Sequence, residues 1–284
     1  MATPPRTATA ASKDGGVGMT QLADGQISFL KGRTLVWFSC GAASAVAAKL
    51  AVATDKGHEP LEVLYCEVAN EHPDNARFRA DVERWIGVPI KGLRSKKFPT
   101  MKIEDVFQRE KYIAGIKGAV CTDRLKRQPR IAYQRIEDTH VFGYTADEEK
   151  RIVRFEQVNP MLKCLWILRD LGITKNDCYK VIKDAGIALP KMYLLGYNNN
   201  NCIGCVKGGA GYWNKIRRDF PENFETMARI SYLLNVRLVR VNGNRVFLDE
   251  LPPDAGRYEF EGDIECGVQC VMPDFSEKEG EVPQ

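Results

Sequence analysis

The sequence has no apolar run approaching the ~18 residues that a membrane-spanning helix needs, which excludes an integral helical membrane protein and leaves no membrane partner to expect. Its first residues, MATPPRTATAASKDGGVGM, lack the apolar segment of a secretory signal, so a cytoplasmic location is expected. There is little net charge: 41 Lys and Arg against 37 Asp and Glu leave +4, too mild to argue by itself for nucleic acid but compatible with anionic small substrates. No internal repeat is present, which excludes solenoids and propellers. What the chain does have is size and cysteine. Its 284 residues suffice for one large domain, or one domain with an appendage, around a sizeable core. Nine cysteines are many for a reducing compartment, where structural disulfides are rare, and point to metal or redox chemistry.

Residues 1–30 are rich in Ala, Thr, Pro, Gly and Ser without apolar period and read as a disordered tail. From Thr34 strands alternate with helices: strand TLVWF, a helix from Ser44, strand LEVLYCEV, helix FRADVERWIG, strand VPIKGL, helix IEDVFQRE, helix DRLKRQPRIAYQRI, strand HVFGY. Such alternation predicts a parallel sheet covered by helices on both faces, with binding sites beyond the carboxyl ends of its strands. After Asn159-Pro160 the pattern predicts helices over MLKCLWILRDLG and KNDCYKVIKDAG, each ending in Gly, and another near residues 222–234. In RLVRVNGNRVFLDEL, Asn242-Gly243 between alternating apolar runs predicts a hairpin. The expected fold class is therefore α/β, followed by a helical, cysteine-bearing C-terminal region with a β-hairpin. The expected units are the tail at 1–30, a nucleotide-binding domain at 31–158 and a metal or redox cysteine region at 159–284.

Two features carry chemistry. In VWFSCGAASAV an apolar strand breaks into a small-residue turn and then a helix, whose first amides lack intrahelical acceptors and carry the positive end of the helix dipole; this suits a phosphate or sulfate. Cys202 and Cys205 form C-x-x-C around Gly204 on a Gly- and Asn-rich loop, and Cys266 and Cys270 form C-x-x-x-C. Two such pairs can close a sulfur site for zinc or an iron-sulfur cluster, and Cys121 is a further candidate. Cys66, Cys164 and Cys178 are expected to serve as small buried hydrophobes. Glu67, Glu71 and His72, just after the second strand, are candidates to contact ribose or base.

Four stretches together resemble the phosphoadenosine phosphosulfate reductase family, within the adenine nucleotide alpha-hydrolase-like superfamily of ATP pyrophosphatases and sulfur-transfer enzymes: SCGAAS, CTDRLKRQP, FGYTADEEKR and ECGVQ. The first resembles the superfamily's phosphate loop, S-G-G-x-D-S in the ATP-using relatives, and the last resembles the E-C-G-L-H tail that carries the reductases' nucleophilic cysteine. The resemblance implies nucleotide contacts from Ser39, Cys40, Gly41, Ala42, Ser44, Arg124, Lys126, Gly143, Glu148 and Arg151. Arg127 and Arg130 are further candidates to neutralise anionic charge. Cys266 is implied as the catalytic nucleophile, attacking the sulfate sulfur of a sulfonucleotide, with a thioredoxin-like reductant as partner. The chain departs from the pattern at Ala43, where the ATP-cleaving relatives have aspartate, at Gln269 in place of the tail histidine, and at the extra Cys270.

Sulfur-inserting relatives imply a different chemistry. ATP with magnesium would activate a carbonyl oxygen on a nucleic acid base, and a cluster held by three or four of Cys121, Cys202, Cys205, Cys266 and Cys270 would carry the sulfur. LKRQPR and VKGG followed by YWNKIRR mix basic residues with aromatics, as nucleic acid contacts require, although Tyr212 and Trp213 suit a core equally well. A third reading is a nucleotide-binding module with structural zinc and no catalysis.

Overall fold

The computed structural model describes residues 32–115, 118–262, 264 and 266, together with the backbone of two short strands, Gly18–Gln21 and Ile27–Leu30, that pair antiparallel within the stretch expected to be a tail. Strands β1 (Thr34–Phe38), β2 (Leu61–Cys66), β3 (Ile90–Leu93), β4 (Thr139–Phe142) and β5 (Lys163–Leu165) form one parallel sheet in the order β3-β2-β1-β4-β5. The chain moves outward from β1 to β3, then returns to the other side of β1 for β4 and β5. The winding reverses between β1 and β4, and the crevice beyond their carboxyl ends is where such sheets bind ligands.

Both faces of the sheet are buried, which is why TLVWF reads as continuous apolar sequence rather than an alternation. Val36 and Phe38 pack on one side with Ala45, Phe78 and Val82, whereas Leu35 and Trp37 pack on the other with Phe142, Phe155 and Trp166. Helix α1 (Ala42–Thr54) meets β1 on one flank and α5 (Lys175–Asp184) on the other. Sandwiched in this way, it needs small side chains, and Ala42, Ala45, Ala47, Ala48 and Ala51 are all buried. Between these helices in sequence lie α2 (Asn75–Ile86), α3 (Ile103–Glu110) and α4 (Glu149–Val158). Residues 120–133 form a helical segment with a π-helical turn at Asp123–Arg127.

MLKCLW departs from expectation: residues 163–165 are the edge strand β5, not a helix. Its burial alternates, with Cys164 partly buried and Trp166 buried while Lys163 and Leu165 are exposed; this is the period of a strand, set by pairing with β4. Both β5 and α5 lie beyond residue 158. The remaining chain forms α6 (Ala210–Asp219), α7 (Pro221–Leu233) and the hairpin β6 (Val239–Val241) with β7 (Asn244–Val246). These pack with α3 and residues 119–125 around Tyr212, Trp213 and Phe224, so the aromatics considered for nucleic acid contact are core residues.

At the amino end of the sheet, opposite the crevice, Arg33 ties three strands together. Its guanidinium reaches Asp138 at 2.7 Å, just before β4, and Glu62 of β2 at 2.9 Å. Burial alone would push the Asp138 carboxyl up, but bonds from Arg33 and from the backbone amides of Arg135 and Arg33 outweigh it and hold the group below its ordinary value. Asp138→Asn should cost about 3–5 kcal/mol in urea denaturation, the range for breaking a buried pair. Because the folded carboxyl is depressed, its contribution should be complete above about pH 4 and disappear as pH falls through the folded value; the variant's stability should lack that acid step.

Candidate functional site

The turn after β1 is held by its own side chains. Ser44 Oγ accepts from the Ser39 amide at 3.0 Å, is bonded to Ser39 Oγ at 3.1 Å, and donates to the Gly41 carbonyl at 2.9 Å. Cys40 adopts a left-handed φ of 57°, a conformation costly for a residue with a Cβ unless its surroundings fix it. Asn200 supplies that fixation: its amide nitrogen donates to the Cys40 carbonyl at 2.7 Å and to Asn75 Oδ1 at 2.8 Å. No side chain caps α1, whose amides at residues 42–44 precede the first intrahelical bond, from Ala45 to Gly41. They are oriented for an anion.

The turn opens on a cavity of about 270 Å³ at the β1/β4 crevice. Of the residues implied as nucleotide contacts, Ser39, Gly41, Ser44, Lys126, Gly143, Glu148 and Arg151 line it. Cys40 and Ala42 are buried behind the turn and support it instead. Gly143 has a steric reason to be glycine: a Cβ there would lie 2.6 Å from Ser44 Cα and 2.7 Å from Ser44 N, so only a bare backbone lets the β4 loop lie against the first turn of α1. Glu148 closes a capping box with Thr145 and pairs with Arg151.

The basic run of residues 124–130 divides. Arg124 is not at the cavity: it pairs with Glu110 at 3.0 Å and with Asp123, which Arg127 also engages at 3.1 Å. Arg130 is buried beside Phe155, where burial first and Arg127 second lower it to about 10. Lys126 alone turns into the cavity. It is 7% exposed, with Nζ 3.7 Å from Glu71. Burial works to lower its pKa, but the pull of Cys266 first, with Cys202 and Glu71 beside it, outweighs this and holds the ammonium's pKa above its ordinary value. Glu71 itself is raised, chiefly by burial, while Asn75 donates to it at 2.8 Å and Tyr65 donates from its hydroxyl. Glu67, Glu71 and His72 line a separate hollow of about 340 Å³ rather than the phosphate-loop cavity.

Cys266 lines the same cavity as the phosphate loop. Its pKa lies well below the ordinary thiol value because Cys205 hydrogen-bonds to it and Lys126, Lys207 and Thr122 assist against the cost of burial. Thr122 Oγ1 is 3.6 Å from its sulfur. Cys205 moves the opposite way, chiefly through the same bond, so the pair is a thiol donating to a thiolate. Cys202 is pushed up by burial and also feels Glu71, Cys266 and Cys121; Cys121 is pushed up to about 12, again by burial and then by Cys266. Four cysteines from three separate segments thus share one neighbourhood. Among the described residues, no group of three or more His, Cys, Asp or Glu side chains is arranged to hold a metal ion. The donor set, four thiols beside an ammonium, chemically fits a thiolate-ligated group; the arrangement is that of protonated thiols gathered on one thiolate. Cys270 and Gln269 lie outside the described residues.

The C-x-x-C turn is pinned from below. Tyr212 accepts from the Cys205 amide at 2.8 Å and donates to the Cys202 carbonyl at 3.2 Å, while Gly204 takes a left-handed φ of 73° between them. The asparagine run just ahead of it ties the pieces together. The Asn198 backbone amide donates to the Tyr258 hydroxyl at 2.7 Å, and the Asn201 side-chain amide donates to the Ile264 carbonyl at 2.8 Å, which brings the tail to the site. Asn199, Asn200 and Asn201 line the cavity, as do Lys175, Tyr179 and Tyr193. None of these was among the expected site residues; the run NNNN before C-x-x-C was the available signal. Cys66, Cys164 and Cys178 are partly or fully buried, and burial is the first cause raising each to about 12, consistent with inert thiols.

No protein-family model matches the chain, and no curated protein does. Among solved structures it is similar to the U34-tRNA thiolase NcsA from Methanococcus maripaludis with its [4Fe-4S] cluster, at 11% identity and a TM-score of 0.38 over 72% of this chain and 73% of that one. The α/β class rests on the strand order and helices of the chain itself.

Three substitutions separate the cavity from its surroundings. Gly143→Ala should lose nucleotide affinity in calorimetry and about 1–3 kcal/mol of stability, since the added Cβ must displace backbone. Arg124→Ala should leave nucleotide affinity unchanged, whereas Lys126→Met should weaken it; equal losses from both would place the basic run at the ligand as a whole.

Proposed function

We propose that the chain is an adenine-nucleotide-dependent sulfurtransferase: the cavity beyond β1 and β4 binds the nucleotide through its phosphates, and Cys121, Cys202, Cys205 and Cys266 hold an iron-sulfur cluster at the cavity's inner side. The observation that carries this reading is that Cys266 lines the cavity beyond β1 and acts electrostatically on Cys121, Cys202 and Cys205. A bound cluster would supply a sulfur atom for transfer to a carbonyl carbon that the nucleotide has activated, with a nucleic acid base as the acceptor. The chain's own residues bind phosphate at the α1 amides, neutralise it with Lys126 and Arg151, and keep the thiols out of bulk water. Asp147 and Glu148 are carboxylates of the cavity within reach of a magnesium-nucleotide, a role that Ala43 does not fill.

A second reading, sulfonucleotide reduction, is favoured by Ala43 and by the thiolate at Cys266. Its thiolate would attack the sulfate sulfur, the S–O bond to the nucleotide would break with the electron pair leaving on the phosphate, and a thiosulfonate would form. A second thiol, from Cys205 or a thioredoxin-like partner, would then release sulfite and leave a disulfide. The hydrogen bonds from Cys205 and Thr122 to Cys266 argue against the mobility this route needs.

Anaerobically isolated protein should contain iron and acid-labile sulfide in stoichiometric amounts, lost on Cys202→Ser. With ATP, magnesium and an acceptor it should release pyrophosphate. Sulfite from phosphoadenosine phosphosulfate and reduced thioredoxin, abolished by Cys266→Ser in metal-free protein, would instead establish the reductase. Nucleotide binding with neither product in metal-replete protein would leave a binding module.

A further inference from the structure

The hairpin carries a charge arrangement that the fold does not need. In β6 and β7, Arg240 stands directly opposite Arg245, between the pairs Val239 with Val246 and Val241 with Asn244. Opposed residues share a face, so the two guanidiniums project together while Val239, on the other face, is buried. Like charges directly opposite destabilise a ribbon. Arg245 donates to the Arg237 carbonyl at 3.0 Å, but no opposite charge lies in the surrounding sequence: residues 226–248 contain Arg229, Arg237, Arg240 and Arg245 and no Asp or Glu, bounded by Glu225 and Asp249. All four arginines are exposed, and among the described residues no carboxylate forms an ion pair with any of them.

Aromatic surface lies alongside. Tyr232, 62% exposed at the end of α7, packs its ring 5.3 Å from that of Phe247, and the Arg237 guanidinium lies 4.3 Å over the same Phe247 ring. Exposed cations that repel one another, beside an exposed ring, are what a single-stranded nucleic acid uses: phosphates bridge the guanidiniums and a base stacks on the aromatic. The site is joined to the cysteines through α6, which begins five residues after Cys205 and against which β6 packs.

We propose that this arginine ribbon, with Tyr232, is a docking surface for the phosphate backbone of a single-stranded nucleic acid. Its role as the place where the sulfur acceptor is held rests on the sulfurtransferase reading; the surface itself rests on the opposed arginines.

The test is fluorescence anisotropy with a labelled single-stranded RNA oligonucleotide, measured against salt for the full chain and for Arg240→Gln/Arg245→Gln. The chain should bind the RNA, and the double variant should bind about tenfold more weakly, with a log-log salt slope shallower by about 1.4, the release expected for two phosphate contacts on a single strand. Tyr232→Ala should weaken binding by about tenfold through lost stacking. The double variant should keep its nucleotide affinity and melt at the same temperature or higher, because the opposed charges are gone. Equal affinity and slope for wild type and double variant would overturn the proposal, as would binding to phosphatidylserine vesicles with none to RNA. Nucleotide turnover in a chain that ignores RNA would sink the ribbon and spare the sulfurtransferase reading; ribbon-dependent RNA binding in a chain that binds no nucleotide would do the reverse.

Discussion

The ammonium of Lys126, 7% exposed, has lost most of its hydration and needs anionic partners, and the centre of the molecule is arranged around that requirement. Glu71 stands on one side, held by Tyr65 and Asn75; Cys266 stands on the other, held by Cys205 and Thr122. The same lysine faces the cavity where phosphate is expected. Cys266 and Glu71 therefore act on one cation, which joins the cysteines to the cavity beyond β1.

Asparagine carries that joining into the backbone. Asn200 fixes the left-handed turn at Cys40 and meets Asn75, which in turn donates to Glu71. The polar chain is buried, and nearly every member has a partner; the exception is the Asn200 side-chain oxygen. Such a network rigidifies a site only while it is intact. It places the strained residue of the phosphate turn and the partner of Lys126 within one set of hydrogen bonds, although they come from segments more than thirty residues apart.

The parts of this arrangement that depend on local pattern were legible in the sequence. The strands TLVWF and HVFGY, the helix over IEDVFQRE and the Asn242-Gly243 hairpin all follow from apolar period and turn chemistry, and so does the small-residue turn between β1 and α1. What depends on long-range packing was not. The strand in KCL looks helical until its pairing with β4 is known, and the basic run gave no sign that Lys126 would turn inward while Arg124 and Arg127 closed on Asp123. A π-helical turn at this point shifts the angular spacing of side chains, and a count of charges does not show it. The asparagines at 198–201 were visible as a run, but their partners lie at Cys40, Asn75, Tyr258 and Ile264, which no local rule connects.

The contact between Thr122 and Cys266 spans 144 positions of sequence. The thiolate is therefore assembled by one of the long loop closures of the site, beside the 160 positions between Cys40 and Asn200, and its cost is met by the packing of the segments between. Local melting of the segment after the hairpin, which Asn201 holds at Ile264, would remove Cys266 from its lysine before it disturbed the strand core. Chemical reactivity at this sulfur would then report the integrity of that segment, well ahead of any loss of the sheet.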